Sequence, residues 1–330
     1  MSAARPGSEA DAADAGDATG EERGTDEALD ETVHTPAPKL PIEAIALDVD
    51  GTILRSNLTM HRRTVRAVAA CRSLGLPVMV ATGRRLGTAY AYAREVGAGP
   101  DLVALDGGLI VEGEGRVLRS RPIAADAVRE IVTWARELDV IVAVQARGRV
   151  YGTRRRAPWH VLREAGRRGI LRTYTGTRHI LWEIPPLRPI AALDPDVEAV
   201  YKISPLGPRE RVRELRERIE ARPDLGARLT APTGGFEVVG RGVSKGEGVL
   251  WLLRHRGLDP AHTLAIGDGW NDVEMFAKVG HSVAMANAPE GVRARARWVT
   301  AHVEQAGVAE VLELVADGRW PPTAPAAPGV

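Results

Sequence analysis

The chain carries a single cysteine, Cys71, and only four lysines in 330 residues: Lys39, Lys202, Lys245 and Lys278. One thiol excludes a disulfide framework and any zinc site built on cysteines, and it fits a reducing compartment. Long apolar runs are lacking: none reaches the roughly 18–20 residues that a membrane-spanning helix needs. Charge of one sign is lacking too. Lys and Arg number 44 against 43 Asp and Glu, a net charge of +1, so no whole-chain field marks a nucleic-acid binder. Aromatics are 4% of the chain and thin in its basic stretch (Tyr151, Trp159, Tyr174), which argues against base-stacking platforms. The N-terminus lacks the basic-then-apolar layout of a secretory signal, so a cytoplasmic location is expected. What is present, 44% hydrophobic and 26% charged residues, is ordinary for a soluble protein of two or three domains at about 100–200 residues each.

Residues 1–40 hold ten acidic residues against Arg5, Arg23 and Lys39, with almost no large apolar side chains. Such a segment cannot offset the entropy of ordering and reads as a disordered acidic tail. Residues 318–330, rich in Pro and Ala, read as a flexible C-terminal tail. Between them short apolar runs alternate with amphipathic stretches. Ile42–Val49, Pro77–Ala81 and Leu102–Leu105 read as strands, with helices over Thr59–Ser73 and Leu86–Val96. The rhythm returns late: helix Ser244–Arg256, strand Thr263–Ile266, helix Val273–Val279, strands Ser282–Ala284 and Trp298–Thr300, helix Val308–Val315. That alternation predicts βαβ units and an α/β fold, a Rossmann-like doubly wound parallel sheet. Its two parts, 41–122 and 240–317, flank a less regular α+β insertion over 123–239. Helices are expected there at Ala125–Leu138, Pro158–Arg168 and Pro208–Ala221, and strands at Val140–Gln145, Ile180–Ile184, Ala199–Ile203 and Phe236–Val239.

Asp48-Val49-Asp50-Gly51-Thr52 follows the first strand directly. Side chains two apart on a strand share a face, so Asp48 and Asp50 emerge together at the carboxyl edge where open parallel sheets bind ligands. Two carboxylates so close call for a proton or a cation, and oxygen donors suit Mg2+. Asp-Gly after a strand is also an ordinary turn. A second acidic strand end, Gly267-Asp268-Gly269-Trp270-Asn271-Asp272, opens a helix, whose first turn Asp268 and Asp272 could equally cap. Thr82 and Gly83 follow the second strand, and Lys245 stands at an expected helix start. A lysine kept among 40 arginines suits a point-charge role. A P-loop is excluded because Gly246 follows Lys245, and the eight histidines show no metal-binding spacing.

In this order and spacing, the four pieces resemble the four motifs of the haloacid dehalogenase-like (HAD) phosphohydrolases. The resemblance runs from about Ile42 to Val315 and is closest to the Cof-type subgroup, whose large cap of the C2B type lies between the second and third motifs. Gly242-Val243-Ser244-Lys245-Gly246 and Ser282 to Ala288 resemble that subgroup as well. The resemblance implies a Mg2+-dependent phosphatase acting on a small phosphorylated metabolite, with the insertion as a lid. It implies that Asp48 is the nucleophile and Asp50 the acid and base. Thr82, Gly83, Lys245 and Asn271 would hold the phosphoryl group. Mg2+ would be bound by Asp48, the Asp50 carbonyl, Asp268 and Asp272.

The chain departs from the family at Asp106-Gly107-Gly108, where many relatives carry Asn-Gly; Asp106 either faces away as an ordinary turn, the expected case, or brings an extra carboxylate near the site that would disturb phosphate binding. Ten arginines and one acid between Gln145 and Ile180 make that stretch a solvated basic face or a surface for polyanionic substrates. A phosphosugar mutase and a phosphate-binding switch are the rival functions. The state expected is a monomer or homodimer, with no nucleic acid and no membrane partner.

Overall fold

Residues 42–113, 115–153, 188–230 and 236–322 are described, from a computed structural model. Strand β1 (Ala44–Leu47) is buried on both faces, the signature of a central parallel strand. Its neighbours are β2 (Val78–Ala81) and, on the other side, a late strand; β3 (Asp101–Ala104) extends the sheet beyond β2. A hairpin follows, β4 (Leu109–Glu112) and β5 (Arg116–Ser120), and runs antiparallel at the sheet's end. It was not anticipated from the sequence, because Gly107-Gly108 reads as a loop rather than as the reversal of a strand.

The chain then builds a second sheet from β6 (Ile141–Ala146), β7 (Val150–Gly152), β8 (Arg188–Pro189), β9 (Val200–Leu206), β10 (Ala227–Thr230) and β11 (Glu237–Gly240), in the order β10-β11-β9-β6-β7-β8. Helices Ala125–Glu137 and Arg209–Glu220 cover one face, packed on Val142, Val144, Ile203 and Val238. Strand alternation puts Lys202, Ser204 and Glu237 on the other face. The core resumes with β12 (Thr263–Gly267), β13 (His281–Met285) and β14 (Trp298–Thr300), completing the order β14-β13-β12-β1-β2-β3-β4-β5. The expected α/β core with an inserted α+β cap is the observed architecture.

Both faces of the core sheet are covered. Ile45 and Leu47 meet the helices Arg62–Ser73, Leu86–Val96 and Gly307–Ala316. Ala44, Ala46, Ala81 and Ala265 lie against the helix Lys245–His255. Alanines on that face let this helix come close, and Gly248 closes the contact: a Cβ there would lie 2.9 Å from the Gly107 Cα. The close approach sets the helix's first turn at the carboxyl edge of the sheet. Ser244 caps it by accepting the Glu247 N–H at 3.1 Å.

Two helices are shorter than expected. The first begins at Arg62, because Leu54 pairs with Met60 and His61 caps the turn. Another stops at Phe276, because the Lys278 N–H turns to the Met275 carbonyl. The expected helix Pro158–Arg168 and strand Ile180–Ile184, both tails, and eight of the ten cap arginines lie outside the described residues. Of the other two, Arg149 pairs with Glu198 at 3.5 Å and Arg147 donates to the Gly115 carbonyl at 3.1 Å. Among the described residues, no helix is long and apolar enough to cross a membrane.

Candidate active site

The loops at the carboxyl ends of β1 and β12 meet on a buried cation. Lys245 Nζ donates to Asp48 Oδ1 at 2.7 Å and to Asp272 Oδ1 at 2.6 Å. The lysine is 1% exposed. Burial works against its charge, but the Asp272 and Asp48 carboxylates more than offset that and raise its pKa. Asp272 is held on its other oxygen by the N–H groups of Asp268 (3.0 Å) and Gly269 (2.8 Å), so the acidic loop folds around its own last carboxylate.

Asp48, Asp268 and Asp272 each offer an oxygen, all within 4.8 Å of one another. Such crowding has a visible electrostatic consequence. Burial raises the Asp48 pKa well above the usual carboxylate range, with Asp272, Asp268 and Asp50 adding to the rise and Lys245 opposing it. Asp268 is pushed up to about 7, again by burial first and then by the charge of Asp272. An all-oxygen donor set whose charges repel one another fits a hard divalent cation.

Asp50 stands apart from that cluster. Its side chain is 56% exposed and accepts from Arg84 Nε at 2.7 Å and Arg84 Nη2 at 2.5 Å. Arg84 in turn lies 4.7 Å from the Tyr92 ring centre. Thr82 is fully buried; its hydroxyl oxygen accepts the Arg84 N–H at 3.1 Å, which leaves the hydroxyl hydrogen for another acceptor. Gly83 lies beside Asp106: a Cβ on it would be 3.0 Å from both carboxylate oxygens.

Asp106 does not face away. It is 2% exposed and accepts from Asn271 Nδ2 at 2.9 Å and from Lys202 Nζ at 2.8 Å. The turn that carries it has positive φ at Leu105, Asp106 and Gly107, which swings the carboxylate inward beneath the cap. The sequence held no sign of this, because Lys202 arrives from the other sheet. Trp270, the aromatic inside the acidic loop, is 40% exposed and lies 5.2 Å from the Arg295 guanidinium.

Asn287 joins the site without a role foreseen for it. Its Nδ2 donates to the Gly51 carbonyl at 2.8 Å and to Asp268 Oδ2 at 3.0 Å, and its Oδ1 accepts the Val303 N–H at 2.9 Å. It thereby ties the loop after β1 to the loop after β12. Gly51 is required at this junction, with φ +74° and no room for a Cβ beside the Asp268 carboxylate. Gly51→Ala is expected to displace Asp268 and to lower activity at least about a hundredfold, since small misplacement of reacting groups is costly. Steady-state kinetics beside a far-ultraviolet circular dichroism spectrum of the folded variant checks this.

A family model described as haloacid dehalogenase-like hydrolase matches residues 45–312. The chain belongs to that family. Within the HAD superfamily it is of the Cof type, and it is an enzyme. It is 27% identical over 273 residues to the HMP-PP phosphatase of Serratia proteamaculans, covering 81% of this chain and 93% of that protein. It is 25% identical over 280 residues to the phosphoglycolate phosphatase of Archaeoglobus fulgidus, with 83% and 96% covered. A haloacid dehalogenase-like hydrolase from B. subtilis has the same fold, with a TM-score of 0.70 at 22% identity over 82% of this chain and 99% of that one.

Proposed function

We propose that this phosphatase hydrolyses phosphate monoesters of small metabolites, sugar phosphates or phosphorylated cofactors, with Mg2+ and through an aspartyl-phosphate. The observation that carries the reading is Lys245, held between Asp48 and Asp272, whose carboxylates lie with that of Asp268 within 4.8 Å of one another. Segments 41–122 and 240–317 form the catalytic core in this reading, and 123–239 form the cap that supplies specificity.

Lys245 takes one oxygen of Asp48 and leaves the other for the phosphorus. That oxygen attacks, and the bond from phosphorus to the leaving alcohol breaks. Asp50 delivers the proton to the departing oxygen, for which it must leave Arg84. Water then attacks the phosphorus, Asp50 takes its proton, and cleavage of the bond to Asp48 restores the carboxylate and frees phosphate. Splitting the reaction this way turns one hard step into two easier ones. The Thr82 hydroxyl, the Gly83 loop, Asn271 and Lys245 neutralise and orient the phosphoryl oxygens. Asp48, Asp268, Asp272 and the Asp50 carbonyl would hold Mg2+, which offsets the repulsion between carboxylate and phosphate.

A panel of phosphorylated metabolites and 4-nitrophenyl phosphate, assayed with Mg2+ and with EDTA, tests the proposal. Mg2+-dependent phosphate release is the expected outcome; isomerisation of a hexose phosphate without release would mean a mutase instead. Metal binding has a separate signature in stability. The folded-state pKa of Asp268, about 7, lies above its unfolded value near 4. Its contribution to stability is therefore complete below about pH 4 and is lost as pH rises through 7. Bound Mg2+ removes that loss, so the rise in melting temperature on adding Mg2+ is expected to be larger at pH 8 than at pH 5, as differential scanning fluorimetry would read.

A further inference from the structure

We propose that Asp106 is a positioning residue: together with Lys202 it transmits the placement of the cap to Asn271 and fixes the amide that meets the phosphoryl group. The inference rests on the role given to Asn271 above, but its geometry stands by itself.

Lys202 projects from β9, in the middle of the cap sheet, on the face away from the cap helices. Its buried ammonium has three hydrogens and three acceptors: Asp106 Oδ2 at 2.8 Å, Glu237 Oε2 at 2.6 Å and the Gly83 carbonyl at 3.2 Å. Two of those acceptors belong to the core. Asp106 turns its other oxygen to Asn271 Nδ2 at 2.9 Å. A continuous chain thus runs from Glu237 through Lys202 and Asp106 to Asn271, one residue before Asp272.

The backbone does not demand an aspartate here. Asp106 has φ +54°, a conformation that Asn tolerates as well as Asp. In this chain, where Lys202 and Asn271 both donate to it, the side chain that serves is a carboxylate. A carboxylate only accepts, so both neighbours must present N–H, and the Asn271 amide is held with its nitrogen toward Asp106. The second hydrogen on that nitrogen remains for a phosphoryl oxygen. With Asn at 106, the side-chain oxygen would stay on Lys202 and the NH2 would face Asn271. The Asn271 amide would then rotate to offer its oxygen, and phosphate would meet an acceptor. Burial pushes the Asp106 carboxyl up, but Lys202 and Lys245 hold it down at about 2, so it is ionised at neutral pH.

A second ion pair between cap and core, Arg228 with Glu274, provides the control, since it bypasses Asp106 and Asn271. The full chain is assayed with Mg2+ and 4-nitrophenyl phosphate as Asp106→Asn, Lys202→Met, the double variant, Asn271→Ala and Arg228→Met. Loosening the one hydrogen bond that orients the Asn271 amide predicts a kcat about 10–100-fold lower for Asp106→Asn and Lys202→Met, with KM within about threefold of the wild type. The double variant should be no worse than the poorer single one, because both act along one chain. Arg228→Met should stay within about twofold of the wild type. Hydrogen–deuterium exchange gives a readout free of turnover: exchange over 268–272 should quicken in Lys202→Met and Asp106→Asn but not in Arg228→Met. Unchanged exchange in Lys202→Met, additive losses of kcat, or an equal effect from Arg228→Met would overturn the proposal. A wild-type protein that releases no phosphate from any ester would sink the phosphatase reading, while the exchange data would still decide the positioning role.

Discussion

Asp48→Asn is expected to abolish phosphate release, by about ten-thousand-fold or more, while leaving a folded protein. The amide keeps the shape of the carboxylate and can still accept from Lys245, but its oxygen is too poor a nucleophile to take a phosphoryl group. Removing a catalytic nucleophile commonly leaves only the residual rate supplied by binding and charge stabilisation. Stability should move little, and for a specific reason. Burial and three neighbouring carboxylates make the Asp48 charge unfavourable in the fold, so deleting that charge relieves repulsion even as Lys245 loses a partner. Initial rates on 4-nitrophenyl phosphate, with thermal melts of both proteins, test the pair of expectations. A variant that is inactive and also melts far below the wild type would show that Asp48 serves the fold instead.

Lys245→Met is expected to damage both activity and stability. The ammonium is hydrogen-bonded to Asp48 and bridges it to Asp272, and all three groups are buried. Breaking a buried ion pair by removing one partner costs about 3–5 kcal/mol, because an uncompensated charge stays behind. The cost should depend on pH with a definite sign. Without Lys245, Asp48 and Asp268 keep the repulsion of their neighbours and lose the attraction that opposes it, so their pKa values rise further and the folded state retains protons that the unfolded state has released. Stability then falls as pH rises, more steeply than in the wild type. Catalysis should drop about a hundred- to a thousandfold, the scale seen when a single preorganised charge-stabilising donor is removed. Chemical denaturation at pH 5 and pH 8 separates this from simple loss of packing, which would cost the same at both.

The site was legible in the sequence wherever one short segment carries its own geometry. Asp48 and Asp50 directly follow a buried strand, so its end brings both to one edge, although only Asp48 joins the acidic cluster while Asp50 turns to Arg84. Asp268 and Asp272 belong to a loop whose last carboxylate binds the loop's own N–H groups, a local arrangement that its spacing already suggests. Lys245 was visible because Ser244 opens a helix and lysine is rare in this chain. The doubly wound core was legible for a similar reason: β1 reads as apolar on both faces, and small residues alternate with large ones.

What escaped notice depends on partners far away in the chain. Asn287 works through the Gly51 carbonyl and the Val303 N–H, main-chain atoms that leave no mark in a sequence. Asp106 looks like any Asp-Gly turn until Lys202, 96 residues later and on another sheet, reaches it. Arg84 lies two residues after Thr82, yet its grip on Asp50 follows only from the meeting of the loops after β1 and β2. The hairpin β4–β5 was hidden by its glycines, which signal a break in structure without saying that the chain turns back to pair with itself.

The most direct measurement is to trap the phosphoryl group on the protein. Asp50→Asn, given 4-nitrophenyl phosphate and Mg2+, should still transfer phosphate to Asp48, because nitrophenolate needs no proton to leave. It should then stall, because no base remains to activate water. Rapid quenching, borohydride reduction and peptide mass spectrometry should find homoserine at position 48, the product of reducing an aspartyl-phosphate. A burst of nitrophenolate with the label at any other residue, or steady turnover with no label on the protein, would contradict the assignment.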